Sequence, residues 1–272
     1  MDLKGFIDAM AERVPHAKEE YMGEDGFLHC GICKGQVQTK IQLFGEERIV
    51  RCICECKVKE RKAYEEQRLR EEFERRRKAC FPEAKMKQWT FEIDDRENEK
   101  ISDAMIRYTE QFKEFFNDGQ GLLLSGTIGT GKTFFAACIA NRLIDKGYRI
   151  LMTSFSRLVN DIQATFDGKQ EIIDSLNRYP LVIFDDLGVE RNSEFMQEMV
   201  FNIIDSRYKS GLPFIITTNL SLEEIKKPKD LSCARIYDRI LERCFPIEFT
   251  GVSKRRQAVK DSYFDTKKKL GL

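Results

Sequence analysis

The feature that most constrains this chain is a glycine-rich segment between an apolar strand and an apolar helix. The residues after the strand Gly121-Leu-Leu-Leu-Ser follow the pattern G-x-x-x-x-G-K-[ST], and a helix is predicted from Lys132 to about Lys146. Glycines let the loop turn its backbone N–H groups onto phosphates, and the helix N-terminus adds partial positive charge. We therefore predict that ATP is bound by Gly126, Thr127, Ile128, Gly129, Thr130, Gly131, Lys132, Thr133 and the adjacent Phe134.

Within this loop two side chains have defined chemical tasks. Lys132 is expected to reach the β- and γ-phosphates, and the hydroxyl of Thr133 to bind Mg²⁺. A second magnesium ligand should follow a neighbouring buried strand, and Leu181-Val-Ile-Phe is followed by Asp185 and Asp186. We predict that Asp185 holds Mg²⁺, directly or through water, and that Asp186 orients or deprotonates the attacking water.

The elements around these motifs alternate between strand and helix. Continuous apolar strands separated by helices are typical of a parallel sheet covered on both faces, so we predict an α/β fold. The fourth strand ends in Thr217-Thr218-Asn219, and its tip is expected between the tips of the first and third strands. Further strands are predicted at 149–153 and 213–218, and further helices at 158–166 and 194–209.

Composition sets limits on the class of protein. The 46 Lys and Arg residues almost balance the 45 Asp and Glu residues, so net charge gives no argument for nucleic-acid binding. No apolar run approaches the ~18 residues of a membrane span, and the N-terminus does not resemble a signal peptide. We expect a cytoplasmic protein without a membrane partner.

Five of the nine cysteines lie close together near the N-terminus, which favours a metal site over a disulfide framework. Two strands, at 37–44 and 48–51 around a turn at 45–47, separate a C-x₂-C pair from the later cysteines. Structural zinc takes four thiolate or imidazole ligands in a tetrahedron. We predict zinc ligation by Cys30, Cys33, Cys52 and Cys54, while Cys56 is an alternative to Cys54 and His29 to one thiolate.

Between this module and the nucleotide motifs lies a highly charged stretch. Residues 57–79 contain ten Lys or Arg, six Glu and no Gly or Pro, which predicts one long solvated helix. We interpret it as a spacer, although the cluster Arg75–Lys78 is also compatible with DNA contact. The predicted organisation is a zinc module at 1–56, a linker helix at 57–81 and a nucleotide-binding domain at 82–272.

Taken together, four motifs resemble those of the DnaC/DnaI-type bacterial helicase loaders, which are AAA+ ATPases close to DnaA and to the IstB transposition helpers. The motifs are the loop 126–133, Asp185-Asp186-Leu-Gly, Thr217-Thr-Asn219 and Arg235-Ile-Tyr-Asp-Arg239-Ile. The resemblance covers roughly residues 82–256. It implies slow ATP hydrolysis, docking of the zinc module to a hexameric replicative DNA helicase, and binding of single-stranded DNA.

The resemblance also implies roles for individual residues. Asn219 matches the sensor-1 position, and Arg239 matches the arginine finger inserted into a neighbouring subunit, which implies self-association. Arg235 would be a second basic residue on the same helix face. A sensor-2 residue would be Arg255 or Arg256, and the C-terminal helical lid of larger relatives is missing or very short.

Some alternatives stay open at this point. The chain could instead be an IstB-like ATPase that assists a transposase, or a nucleotide-gated scaffold without useful hydrolysis. Asp186 stands where many AAA+ proteins carry glutamate; the shorter side chain leaves its role as catalytic base open and suggests slow turnover. The segment Trp89-Thr-Phe91 is compatible with contact to adenine or with core packing.

Overall fold

The structure is a computed structural model that describes residues 19–43, 45–165, 168–188, 194–228, 230–251 and 253–270. Its contacts divide the chain into two compact units, Met1–Glu72 and Phe73–Leu272. This boundary falls inside the predicted linker helix, and the predicted borders at 56 and 81 stay predictions. The first 18 residues of the predicted zinc module lie outside the described residues.

The described part of the first unit contains two antiparallel hairpins. Strands β1 (Glu20–Met22) and β2 (Leu28–Cys30) pair, as do β3 (Gln38–Leu43) and β4 (Glu46–Arg51). The predicted second hairpin is therefore confirmed, although β4 begins two residues before the predicted start at 48. Phe44, which was assigned to the first of these strands, lies outside the described residues.

The charged stretch forms helix α1 (Glu55–Cys80), which confirms the predicted helix and extends it by two residues at its N-terminus. Ion pairs one turn apart line its surface, including Lys57–Glu60 at 2.6 Å and Arg61–Glu65 at 3.0 Å. Such exposed pairs each contribute only about 0.3–0.5 kcal/mol, so the helix owes its length to the absence of breakers as much as to its charges.

In the second unit a five-stranded parallel sheet has the order β6 (Ile150–Ser154), β7 (Leu181–Leu187), β8 (Phe214–Thr218), β5 (Gly121–Gly126) and β9 (Cys244–Phe249). The predicted place of the fourth strand between the first and third is confirmed, because β8 pairs with β5 on one side and β7 on the other. The elements of this unit, after two 3₁₀ turns at Ala84–Gln88 and Phe91–Ile93, are α2 (Glu99–Glu110), α3 (Phe112–Asp118), β5 (Gly121–Gly126), α4 (Lys132–Asp145), β6 (Ile150–Ser154), α5 (Phe155–Ala164), α6 (Lys169–Ser175), a 3₁₀ turn at Leu176–Arg178, β7 (Leu181–Leu187), α7 (Glu194–Lys209), β8 (Phe214–Thr218), α8 (Leu222–Lys226), α9 (Leu231–Arg243), β9 (Cys244–Phe249) and α10 (Lys254–Lys269).

Both faces of this sheet are covered, as predicted. One apolar cluster packs α2 and α4 against one face, and a second cluster packs α5, α7 and α9 against the other. The fully buried Leu123 and Leu124 are adjacent in β5 and belong to opposite clusters. This explains why the strand reads as a continuous apolar run. Among the described residues, no helix is long and apolar enough to cross a membrane.

Strand β9 and helices α2 and α3 were not predicted from the sequence. Strand β9 contains Pro246 and an exposed Phe245, a pattern that argues against a central strand. Among the described strands it lies at the edge of the sheet and pairs with β5 alone, a position in which a proline is tolerated.

A buried arginine in α7 forms hydrogen bonds to the backbone just before β7 and β8, the strands whose ends carry the site. Arg207 in α7 is fully buried and donates to the carbonyl oxygens of Leu176 (3.1 Å), Pro180 (3.1 Å) and Pro213 (2.8 Å). Pro180 and Pro213 immediately precede β7 and β8. The guanidinium thus supplies hydrogen-bond donors to backbone carbonyls just before two strands and in the turn before β7.

Replacement of this arginine should destabilise the fold. Arg207→Met keeps much of the side-chain volume but removes the guanidinium donors from the three carbonyls, so we expect a loss of about 3 kcal/mol in the free energy of unfolding. Urea denaturation measures this, and Arg178→Met, at an exposed arginine, is the matched control with an expected change below about 0.5 kcal/mol. Equal stability of the two variants would contradict the assignment.

Candidate nucleotide-binding site

The predicted phosphate loop joins the end of β5 to the start of α4 and adopts the expected geometry. Gly126, Gly129 and Gly131 have φ angles of 133°, 87° and 100°, a region that other residues rarely adopt. At Gly126 a side chain would also overlap the carbonyl oxygen of Phe249 in the neighbouring strand. The glycines of the motif are therefore required by the backbone path as well as by the ligand.

Lys132 lies at the floor of this loop and is largely buried. Its ammonium group donates to the carbonyl oxygens of Gly126 (2.8 Å) and Thr127 (2.7 Å). A buried ammonium next to the phosphate-loop backbone favours a negatively charged ligand, because phosphate oxygens supply compensating charge that neutral carbonyls do not.

A hydrogen bond connects the phosphate loop to the predicted magnesium acid. The hydroxyl of Thr133 donates to Oδ1 of Asp185 at 2.9 Å, and the hydroxyl of Thr217 donates to the same oxygen at 2.6 Å. Burial raises the pKa of Asp185, whereas the two hydroxyl groups oppose that rise. A hydroxyl and a carboxylate in contact are the oxygen donors that Mg²⁺ prefers, so Thr133 and Asp185 fit the predicted ion.

Asp186 has a backbone conformation that is unusual for a residue with a side chain. Its φ is +65°, and the pairing of β7 with β8 is irregular between Phe184 and Leu187. The amide of Asp186 donates to the hydroxyl of Thr217 at 2.9 Å, and its carboxylate accepts from Nδ2 of Asn219 at 2.9 Å. This local strain turns an exposed carboxylate toward the cavity beside the phosphate loop.

Thr217 is a residue whose role the sequence did not reveal. Its hydroxyl bridges Asp185 and the backbone of Asp186, whereas the sequence assigned a role at this strand end to Asn219. The neighbouring Thr218 is buried and donates to the carbonyl of Leu187. The only signal for Thr217 was its polar character at the end of an apolar strand.

These groups face a cavity of about 430 Å³. Its other wall is formed by the segment before α2, where Trp89 packs against Phe134 with ring centroids 6.0 Å apart. Phe91 is instead buried against Phe135. Of the two aromatic residues for which the sequence allowed either adenine contact or core packing, Trp89 lines the cavity and Phe91 packs in the core. The lining residues are Glu83, Lys85, Met86, Trp89, Ile93, Asp94, Asp95, Ile128, Gly129, Gly131, Lys132, Thr133, Phe134, Phe135, Asp185, Asp186, Thr217, Asn219 and Lys254.

Lys254 is a further cavity residue to which the sequence assigned no role. It begins α10, its backbone amide donates to the carbonyl of Gly129 at 3.0 Å, and its ammonium group contacts both carboxylate oxygens of Asp95 at 2.6 Å. The predicted sensor-2 candidates come next in sequence: Arg256 is exposed, and the side chain of Arg255 lies outside the described residues.

Arg235 and Arg239 share one face of α9, as their spacing predicted, and neither lines this cavity. Their guanidinium groups lie 4.3 Å and 4.6 Å from the ring centroid of Phe201. Arg239 also pairs with Asp205 at 2.7 Å. Neither residue is thus placed to act on a nucleotide bound by its own chain, and the arginine-finger role stays a prediction.

The cysteine cluster differs from the predicted ligand set. The sulfur atoms of Cys30, Cys33, Cys54 and Cys56 all lie within 4.8 Å of one another, near the ~3.8 Å separation that tetrahedral zinc–thiolate bonds imply. The choice of Cys52 is corrected, because its backbone still pairs with Val37 and its thiol faces the carbonyl of Gln36. Helix α1 begins at Glu55, and its first turn places Cys56, rather than Cys52, beside Cys54.

The chemistry of this cluster fits a thiophilic metal. Backbone N–H groups of Cys56 and Gly35 lower the pKa of Cys33 to about 6, whereas the neighbouring thiols raise the pKa of Cys56 to about 12. A divalent cation bound by these four sulfur atoms would stabilise their thiolate forms. His29 bonds Asp25 and the carbonyl of Lys34, so it is not a member of the cluster.

Fold and site together define a P-loop nucleotide-binding protein of the AAA+ type. The sequence matches the family described as IstB-like ATP binding protein over residues 51–262, and the chain belongs to that family. The relation is remote in sequence but clear in fold, as relatives and solved structures show.

Two relatives are helicase loaders. The replicative helicase loader DnaI of Bacillus subtilis is 27% identical over 56% of this chain and 54% of its own length. The replicative helicase loader DnaC of Escherichia coli K12 is 27% identical over 50% of this chain and 56% of its own length. The chain thus spans about half the length of the curated relatives it matches.

Solved structures give the same fold. A crystal structure of DnaI has a TM-score of 0.55 at 24% identity, covering 66% of this chain and 99% of that one. A crystal structure of the DnaC helicase loader has a TM-score of 0.54 at 22% identity, covering 62% of this chain and all of that one. At 22–24% sequence identity, this structural similarity establishes the fold alone.

The corrected ligand set makes a direct prediction. Cys56→Ser should lower the bound zinc from about one ion per chain to a small fraction of that after dialysis against a weak chelator, because a hydroxyl is a poor substitute for a thiolate. Cys52→Ser, four residues or fewer from two cluster members, is the matched control and should keep its zinc. Zinc loss in the Cys52 variant alone would restore the ligand set predicted from the sequence.

Proposed function

We propose that this chain is an ATPase that loads a ring-shaped replicative DNA helicase onto single-stranded DNA. The observation that carries the ATPase part is the hydrogen bond between Thr133 of the phosphate loop and Asp185 at the end of β7. It joins the two oxygen donors that a nucleotide-bound magnesium ion requires, on elements fixed by a parallel sheet.

The roles of the site residues follow from this arrangement. Lys132 and the loop amides bind the phosphates, and Thr133 with Asp185 would hold Mg²⁺, which neutralises charge that develops on the phosphate oxygens. Asp186 accepts a hydrogen bond from Asn219, so its second carboxylate oxygen is available to orient the attacking water. Positioning and charge neutralisation are the main needs of this reaction.

Hydrolysis and binding should respond differently to two substitutions. Asp186→Asn should lower kcat for ATP by about 10²–10³-fold while the Kd for ATP changes by less than about threefold, since the carboxylate acts on water. Lys132→Ala should abolish measurable ATP binding. Equilibrium binding with a fluorescent ATP analogue and phosphate-release assays measure the two effects. Unchanged turnover in the Asp186 variant would instead support a nucleotide-gated scaffold.

Self-association is proposed because Arg235 and Arg239 are remote from their own chain's cavity. An arginine supplied by a neighbouring subunit stabilises negative charge in the transition state and makes hydrolysis depend on assembly. Arg239 pairs with Asp205 in the single chain. This role therefore requires that the phosphates bound by the neighbouring subunit displace Asp205 from the guanidinium.

The partners are proposed from the relatives, which are named replicative helicase loaders. The cysteine module is the proposed docking element for the helicase, and the nucleotide state of the second unit would time release. Mass measurement of the chain mixed with a hexameric replicative helicase should show a complex whose population changes at least about threefold between ATP and no nucleotide. No complex under either condition would contradict the loader function and leave the ATPase function intact.

The family match favours one alternative partner. Because the family is described as IstB-like, the same ATPase could assist a transposase instead of a helicase. Parallel mass measurements with the transposase from a mobile element and with the helicase discriminate the two, since only the true partner should give an ATP-dependent complex.

A further inference from the structure

A buried asparagine lies on the helix that carries the phosphate-binding lysine. Asn141 follows Lys132 by nine residues in α4, about 13 Å along the helix axis. Its side chain is almost fully buried and makes three hydrogen bonds, although none of the site functions described above involves it. A buried amide with both ends satisfied fixes its partners in place, because each lost bond would leave an unpaired buried group.

Two of these bonds hold the wall of the nucleotide cavity. Nδ2 of Asn141 donates to the carbonyl oxygens of Met86 at 2.9 Å and Trp89 at 2.8 Å. Met86 and Trp89 are among the residues that line the cavity together with the acids and the phosphate loop. This segment consists of two short 3₁₀ turns, whose few internal hydrogen bonds hold a backbone less firmly than a long helix does.

The third bond sets the orientation of the amide. Nε of Arg77, in the last turns of α1, donates to Oδ1 of Asn141 at 3.1 Å. The same guanidinium pairs with Asp145 in α4 and with Glu74. With Oδ1 turned to the arginine, both N–H groups of the amide face the two carbonyls, so all three bonds are formed at once.

We propose that Asn141 is a positioning residue that fixes the base-facing wall of the ATP site relative to the phosphate loop, and that Arg77 orients it. The proposal rests on the ATP site proposed above. With phosphates bound at Lys132, the nucleoside would pack against Trp89 and Met86, two apolar residues of the cavity lining. One helix then anchors both ends of the ligand: its N-terminus binds the phosphates, and Asn141 holds the surface against which the base packs.

The test separates the base from the phosphates. Asn141→Ala should weaken ATP binding by about tenfold, because the wall is no longer held. It should change the affinity for inorganic tripolyphosphate, which needs only the phosphate loop, by less than twofold. Equal weakening of both ligands would show a general role in the stability of α4 and overturn the proposal, as would unchanged ATP affinity.

Trp89 gives an independent readout because it is the single tryptophan of the chain. Its emission should shift to the red in the Asn141 variant, and the change in emission on adding ATP should shrink. An emission spectrum identical to that of the unmodified protein would overturn the proposal even if affinity fell. If the unmodified protein retains neither ATP nor tripolyphosphate, the proposed ATP site fails, an outcome distinct from a failure of the role of Asn141.

Arg77 is tested against its neighbour. Arg77→Ala should weaken ATP binding by about threefold with tripolyphosphate binding unchanged. Arg76→Ala is the matched control, because this substitution removes the same charge from the same turn. The Arg76 side chain contacts the carbonyl of Gly147 instead of Asn141. The control should bind both ligands normally. Equal effects of the two variants, or no effect of the Arg77 change, would overturn the orienting role.

Discussion

The carboxylate of Asp185 is the point at which three elements of the second unit meet. One oxygen of this residue accepts from Thr133 at the start of α4 and from Thr217 at the end of β8, while Asp185 itself belongs to β7. Because these elements are fixed by the parallel sheet, the distance between phosphate loop and magnesium acid is set by the fold. Burial raises the pKa of this carboxyl, and a bound divalent cation would offset that effect. The sheet therefore brings the oxygen donors of the ion site together. It also buries the carboxylate of Asp185, so that binding of a cation becomes more favourable.

The strained backbone conformation of Asp186 is explained by its hydrogen bonds to the end of β8. A left-handed backbone at a residue with a side chain costs roughly 1–3 kcal/mol, and it persists where surrounding bonds hold it. Here the hydroxyl of Thr217 accepts from the amide of Asp186, and Asn219 donates to its carboxylate. The end of β8 thus orients both acids at the end of β7, and the shorter aspartate is brought to the cavity by the backbone and not by side-chain length. That is a physical reason why aspartate can stand where many related proteins carry glutamate.

The parts that the sequence predicted correctly depend on local patterns, and the parts that it missed depend on contacts between distant residues. The phosphate loop and Asp185 follow apolar strands directly, so motif and strand end were enough to place them. Thr217 could be recognised as a bridge only once β7 and β8 were known to be neighbours, and the wall at Trp89 only once its carbonyl was seen to bond a helix fifty residues away. The cysteine cluster is an intermediate case: the spacing predicted a cluster, but the start of a helix at Glu55 placed Cys56 in it and left Cys52 out.

The pairing of Arg239 with Asp205 bears on the proposed dependence of hydrolysis on assembly. An arginine that serves a neighbouring site must be held near its working position in the isolated chain, or ordering its long side chain would weaken the subunit contact. Phe201 supports Arg235 and Arg239 from one side, and Asp205 holds the guanidinium of Arg239 from another. A triphosphate carries more charge than one carboxylate, so a neighbour with bound nucleotide competes for this arginine more strongly than an empty one. The same ion pair that keeps Arg239 in place in the single chain would then make subunit association sensitive to the nucleotide.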